Sequence, residues 1–420
     1  MNRLAISGAA ALPLVLSSAL LACLWDSDTL QMERLRFPGA LEIITGKFVR
    51  HSRAYYEWRI TDRLAKLASS PDDPALIDDL AVAYAKLGRP EEGIAILEQS
   101  LAKQPDRYET LSNLGTLHFF AGNLDISKDY IRRALAINPN AHFGREKYQL
   151  LLTEYVQQSQ RVEIGVLSSE YRTPSEEDVI LVGFADFVLR HSEAGRDDFP
   201  ERLTAAQREE IRAAVRGVLG MLHFADHTSP ILLECLGDLL LTGRLSDDAA
   251  QHAARAYLRA AEFAPHPDAA ARLRVMAKES LSVQEKVYFT PLRESLAAEV
   301  AAADQWFAKI NASEAQWIRE GKDVDREFAA VYYQTLEQIM TTSMAESGQP
   351  AKPSWYDTFR GQADRGQYFS LAFAFILAPL FAFAATFLGV YWLRIRRRAA
   401  TSGTKPSPVK NAKRDSSHGA

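Results

Sequence analysis

One pattern of apolar, small, turn and closing residues occurs twice between residues 74 and 141, and a chain that repeats at so short a period is constrained to stack copies of one small unit. Leu80, Ala81, Gly88, Leu101 and Pro105 return 34 positions later as Leu114, Gly115, Gly122, Leu135 and Pro139. In each copy a large apolar residue precedes a small one. A turn glycine follows, then an apolar helix closed by proline. That order predicts two helices across a tight turn. One such pair cannot bury its apolar face alone, so neighbours must stack on it.

These positions resemble the tetratricopeptide repeat family, with His118 where the first copy has Tyr84 at the aromatic position, and with Gly93 and Ser127 where the family has alanine. The resemblance implies an all-α, tetratricopeptide-like α-solenoid that binds protein partners through the inner faces of the first helix of each pair. In chaperone-binding members a cluster of Lys, Asn and Arg there clamps a peptide carboxylate. The corresponding positions here are Asp78, Val82, Asn113, Phe143 and Lys147, so most of that clamp is missing. The groove instead offers Ala75, Val82, Thr116, Phe119, Phe120 and Phe143 to an apolar or amphipathic segment, with Asp78 and Glu146 set to meet a basic residue. In the competing reading, Phe119 and Phe120 pack only against neighbouring repeats.

The flanks extend the helical reading. Residues 24–73 are expected to cap the first repeat, with Ser52 as N-cap of a helix from Arg53 to about Ala68 whose apolar content is Tyr55, Tyr56, Trp58, Ile60, Leu64 and Leu67. The repeats occupy 74–160, including a partial third copy around Tyr148, Leu151, Leu152 and Tyr155. Divergent helical repeats fill 161–289, with helical stretches at 179–189 and 205–222 and a looser pair from Pro230 to Pro265 that opens on Leu236 and Gly237. His266, Pro267 and Asp268 are read as a turn. Residues 290–345 form a helical hairpin, one arm carrying Leu292, Leu296, Val300, Ala303, Phe307, Ile310 and Trp317 on one face, the other Val324, Phe328, Val331, Thr335 and Ile339. Residues 346–367, with several Gly and Pro, are a linker.

Both ends point to a membrane. Residues 368–393 carry no charge from end to end, a run long enough to cross a bilayer as one transmembrane helix, and Arg394, Arg396, Arg397 and Arg398 follow at once. The arginines place the basic tail, 394–420, in the cytoplasm. At the other end residues 1–23 read as a signal peptide, a lipobox-like leader or a signal anchor. Leu20-Leu21-Ala22-Cys23 resembles a bacterial lipobox, which makes Cys23 a lipidation candidate; an uncleaved anchor and ordinary cleavage near Ala22 are the alternatives. The expected location is the bacterial cytoplasmic (inner) membrane, with one C-terminal pass and the main domain in the periplasm or outside. Between the two ends, residues 24–367 carry 40 Lys and Arg against 52 Asp and Glu. An acidic body repels phosphate backbones, and no nucleic-acid motif opposes that, so no nucleic acid is expected.

Spacings that catalysis demands are not found: no Gly-x-Ser-x-Gly, no His-Glu-x-x-His, no Cys-x-x-Cys and no Gly-x4-Gly-Lys-Ser/Thr. His223 and His227, at i and i+4 with Asp226 nearby, are the best candidate for metal chemistry, yet one helix supplies too few ligands. The reading is therefore a membrane-anchored extracytoplasmic scaffold or adaptor, not an enzyme, with no cofactor and no resident metal. An accessory subunit of an envelope enzyme, secretion or transporter complex is the alternative, and a metal-dependent enzyme using His223 and His227 a remote one.

Overall fold

The turn glycines and prolines of the repeat bound the helices that form. The computed structural model describes residues 24, 26–27, 37–139, 144–159, 183–195, 203–283 and 287–333. The chain divides into a unit of residues 1–355 and one of 356–420, and all described residues belong to the first. Among them there is no strand.

A short helix, α1 (Ala40–Thr45), precedes α2 (Arg53–Leu67). The first repeat is α3 (Pro74–Lys86) and α4 (Pro90–Lys103), the second α5 (Tyr108–Phe120) and α6 (Leu124–Ile137). Proline stands at the first helical position of α3 and α4, where its missing N–H costs nothing. Gly88 and Gly122 take φ of 75° and 78°, the left-handed conformation that ends the first helix of each pair. The next backbone N–H groups, of Arg89 and Asn123, reach back to the carbonyls of Tyr84 and His118 at 2.9 and 2.8 Å. Ser52 caps α2 as expected, its hydroxyl accepting from Tyr55 N–H at 3.2 Å.

Small residues set how closely the helices approach. A Cβ on Gly115 would lie 2.6 Å from Ile131 Cγ1, so α6 rests directly on the backbone of α5. The next helices are α7 (Arg145–Gln158), α8 (Gly183–Arg190) and α9 (Ala205–Phe224). The divergent pair follows as α10 (Pro230–Gly243) and α11 (Ala249–Phe263), locked where Gly237 admits the ring of Tyr257, whose hydroxyl donates to Asp238 at 2.8 Å. Helix α9 lies along α7, and α8 covers α7, α9 and α10. The His266-Pro267-Asp268 turn is not a free turn. Pro267 begins α12 (Pro267–Ser280), which packs on α11, because proline after an extended N-cap residue is a helix start.

Helix α13 (Phe289–Arg319) runs 31 residues, about 46 Å at 1.5 Å per residue. Leu292, Leu296, Ala303, Ile310 and Trp317 of its predicted face are buried, with Val300 and Phe307 half-buried. After the turn at Gly321 the second arm begins with α14 (Val324–Phe328), where Val324 and Phe328 are buried against Tyr55, Ile310 and Trp317. Its predicted stripe then breaks. Residues Ala329–Tyr333 form a π-helical turn whose extra residue rotates the register, leaving Val331 42% exposed and bringing Tyr332 onto Phe328 at 4.8 Å. Thr335, Ile339, the linker and the predicted span 368–393 lie outside the described residues. No helix among those described is long and apolar enough to cross a membrane.

The capping segment differs from expectation in its chemistry. The buried stripe of α2 is Tyr55, Arg59 and Arg63 at steps of four, while Leu64 is 49% exposed. Helix α2 packs on α3 on one side and meets α13 on another, so a helix from far along the chain covers the cap.

Gly237→Ala is expected to lower the free energy of unfolding by about 1–3 kcal/mol, the cost of overpacking against a ring held by its own hydrogen bond. Chemical denaturation measures it; an unchanged midpoint would mean that α10 and α11 have room to move apart.

Candidate functional site

Helices α3, α5 and α7 present the positions that the sequence assigns to partner binding. Their polar side chains form rungs between successive helices. Asn113 donates to Asp78 at 3.4 Å, and Arg107 pairs with the other Asp78 oxygen. One repeat further, the Tyr108 hydroxyl donates to Glu146 at 2.6 Å and Gln149 donates to Thr116 Oγ1 at 3.0 Å. Lys147 in turn holds Glu210 of α9 at 2.6 Å. The repeat period makes the rungs inevitable, since positions one period apart fall side by side when the units stack. The carboxylates expected to meet a basic ligand, Asp78 and Glu146, are thus engaged within the solenoid. Burial pushes the Asp78 carboxyl up to about 7, against the pull of Arg107 and Asn113.

The apolar candidates separate by depth. Val82 is 1% exposed, in a cluster with Leu97, Leu114 and Leu117; Thr116 and Phe119 are equally buried. Phe120, at the end of α5, is half-buried and packs on the margin of that cluster. Ala75 is exposed. Phe143 and Cys23 lie outside the described residues. Val82, Thr116 and Phe119 are therefore each buried, and Phe120 lies at the surface margin.

What the repeat pattern did not reveal is that the inner side is filled. Leu24 joins the Val82 cluster, and Asp26 and Ser27 meet Arg59 and Asp79. Helix α1 packs on α9, α11 and α13, and Lys86 of α3 donates to the carbonyls of Phe224 and Ala225 at 2.8 and 2.6 Å. The one available signal was in α2, where Arg59 and Arg63 follow Tyr55 at helical spacing, a pattern that demands buried acids nearby.

His223 and His227 do not share a helix. His223 sits in the last turn of α9 and His227 beyond its end, both with rings edge-on to Phe48, at 5.0 and 5.3 Å. Burial, together with the charges of Arg145 and Lys86, pushes His223 down to about 3. Burial and the charges of Arg50, Arg259 and Lys86 push His227 well below its ordinary value. Those cations have structural partners. Arg50 donates to the Gly46 carbonyl, Arg259 to that of Ile44 at 3.2 Å, and Lys86 to the end of α9, so they neutralise helix C-termini. A divalent cation would be repelled there. Among the described residues no group of three or more His, Cys, Asp or Glu is placed to hold a metal.

Residues 108–141, which take in α5 and α6, match the family model for the tetratricopeptide repeat. No curated protein sequence matches the chain.

The two histidines carry a pH dependence of known sign. Their folded-state pKa values lie below the unfolded value of 6.5, so the stability they allow is complete above about 6.5. The part due to His223 is lost as the pH falls from there towards about 3, and that due to His227 is lost in the same direction, because the unfolded chain takes up the protons first. Asp78, raised to about 7, acts oppositely and costs stability as the pH rises from about 4. His223→Gln is expected to reduce the fall in melting temperature between about pH 7 and pH 4.5, followed by circular dichroism. Parallel slopes in the two proteins would show that His223 is protonated in the folded state.

Proposed function

We propose that this tetratricopeptide-repeat protein is a membrane-anchored scaffold that binds a protein partner through its repeats on the outer side of a bacterial cytoplasmic membrane. The observation that carries the reading is the repeat at 108–141, a module whose general role is protein–protein interaction, set in a stack of helix pairs without a metal-binding cluster among the described residues. The anchor rests on residues 368–393, uncharged throughout and followed at once by Arg394, Arg396, Arg397 and Arg398. A binding surface confined to a layer above a membrane meets membrane partners at raised effective concentration, which lets a modest contact serve a scaffold. Phe120 is the contact residue of choice, because it is large, apolar and on the margin of the packed interior. Cys23 as a lipidated second attachment would tie the first repeat to the same surface.

Two measurements test this. Phe120→Ala is expected to weaken partner capture by at least about tenfold, the loss of one well-placed contact, with an unchanged melting temperature. Phe119→Ala should instead unfold more easily by about 3–5 kcal/mol, as truncation of a buried Phe does. If Phe120→Ala leaves capture intact, the partner surface is elsewhere on the repeats. For topology, a reporter active only outside the cytoplasm should work when fused after residue 345 and fail after residue 400; the reverse pattern would overturn the placement.

A further inference from the structure

The inner face of the first repeat has an occupant that belongs to the chain itself. Leu24 is 1% exposed and lies in one apolar cluster with Val82 and Ala85 of α3. Two residues on, Arg59 Nη1 donates to the Asp26 carboxylate at 3.2 Å. Ser27 then gives both its backbone N–H and its hydroxyl to Asp79 Oδ1, at 2.9 and 3.0 Å, and its oxygen accepts from Arg59 Nη2 at 2.7 Å. Arg59 and Asp79 are themselves paired at 3.1 Å across α2 and α3.

We propose that the segment 24–27 is a built-in pseudo-ligand: a partner of the repeats docks on this same face with a segment of the same chemistry, and must displace the chain's own residues to do so. The segment recognised carries an apolar residue, a carboxylate two positions later and, directly after it, a hydroxyl on a residue in helical conformation. This rests on the protein-binding reading and supplies the ligand chemistry and the regulation for it.

Three features carry the inference. The groups that hold the segment aim at a backbone N–H, a hydroxyl and a carboxylate, which a separate chain can present as well, and do not require the covalent connection. Helix α1 is buried separately, against α9, α11 and α13, so its packing does not depend on the contacts of residues 24–27. Specificity follows from Arg59, which is fully buried: a competitor without the carboxylate removes one of the acceptors around a desolvated cation. A tethered occupant competes at high effective concentration, so an outside segment binds with an apparent dissociation constant raised by the inverse of the open fraction.

The test uses the full-length chain and a fluorescent peptide copying residues 24–36, read by anisotropy up to millimolar concentration. Leu24→Asp should loosen the resident segment, and the folded variant is expected to bind the peptide at least about tenfold more tightly than the unaltered chain. Val82→Asp in that background should abolish binding, as should Leu24→Asp in the peptide. Equal affinities for the two chains, or no binding to the folded variant, would overturn the proposal. A concentration-dependent dimer of the unaltered chain that Leu24→Asp dissolves would overturn it too, because a second copy would then supply the segment. Should Leu24→Asp lose its helical circular dichroism, Asp26→Asn provides the same comparison. No partner enters this experiment, so its failure is distinguishable from failure of the protein-binding reading, which Phe120→Ala tests.

Discussion

Two arginines inside α2 hold distant parts of this protein together. Arg59 and Arg63 sit one turn apart on the buried face of a helix, and a buried guanidinium is tolerated only when acceptors replace the water it has lost. Asp79 of α3 serves both, at 3.1 and 2.9 Å. Asp26 supplies Arg59 from the N-terminal side, and Asp325 of α14 reaches Arg63 at 2.5 Å and accepts from the Tyr55 hydroxyl at 2.7 Å. Close by, the fully buried Glu314 of α13 takes His51 Nδ1 at 2.7 Å and the Ser52 N–H at 2.9 Å. Asp79 and Asp325 therefore tie the cap to the first repeat and to the late hairpin through two buried guanidinium groups.

Around that centre the stacking is governed by steric fit. Glycines at 115 and 237 let Ile131 and Tyr257 rest on helix backbone, and Ser127 adds a hydrogen bond to the Gly115 carbonyl at 2.6 Å. Polar rungs from Asp78 through Thr116 and Gln149 to Lys147 and Glu210 repeat the connection along the inner layer. A solenoid ordinarily has two independent ends, each repeat touching its neighbours alone. Here α13 returns to α2, and Lys86 of the first repeat reaches the end of α9, so the array has closed on itself.

That closure changes what the repeats can offer a partner. Positions on the first helices that would line an open groove are spent on inter-repeat contacts or covered by the N-terminal residues, and the interior charges are matched to helix ends and buried acids. Binding at this face is then an exchange of one segment for another, with affinity set by the difference between two similar sets of contacts. The surface margin at Phe120 stands apart from that competition.

What the sequence determined by itself was everything governed by local sterics. The helix pairs of the repeat, their turns at Gly88 and Gly122, the cap at Ser52, the pairing of α10 with α11 through Gly237 and the buried face of α13 were all legible, because each depends on residues within a few positions or on a repeated spacing. Tertiary structure alone decided the rest. Whether Arg59 and Arg63 faced solvent or core depended on Asp79 in the next helix and on Asp325 near the far end of the described chain, and whether Val82 lined an open groove depended on Leu24 returning to cover it. Val331 left its stripe because the helix widened after Phe328, and the histidine pair parted because α9 ends between them. A spacing rule assumes one regular helix and an uncovered face; burial is set by whatever else in the chain finds that face, and that is not local information.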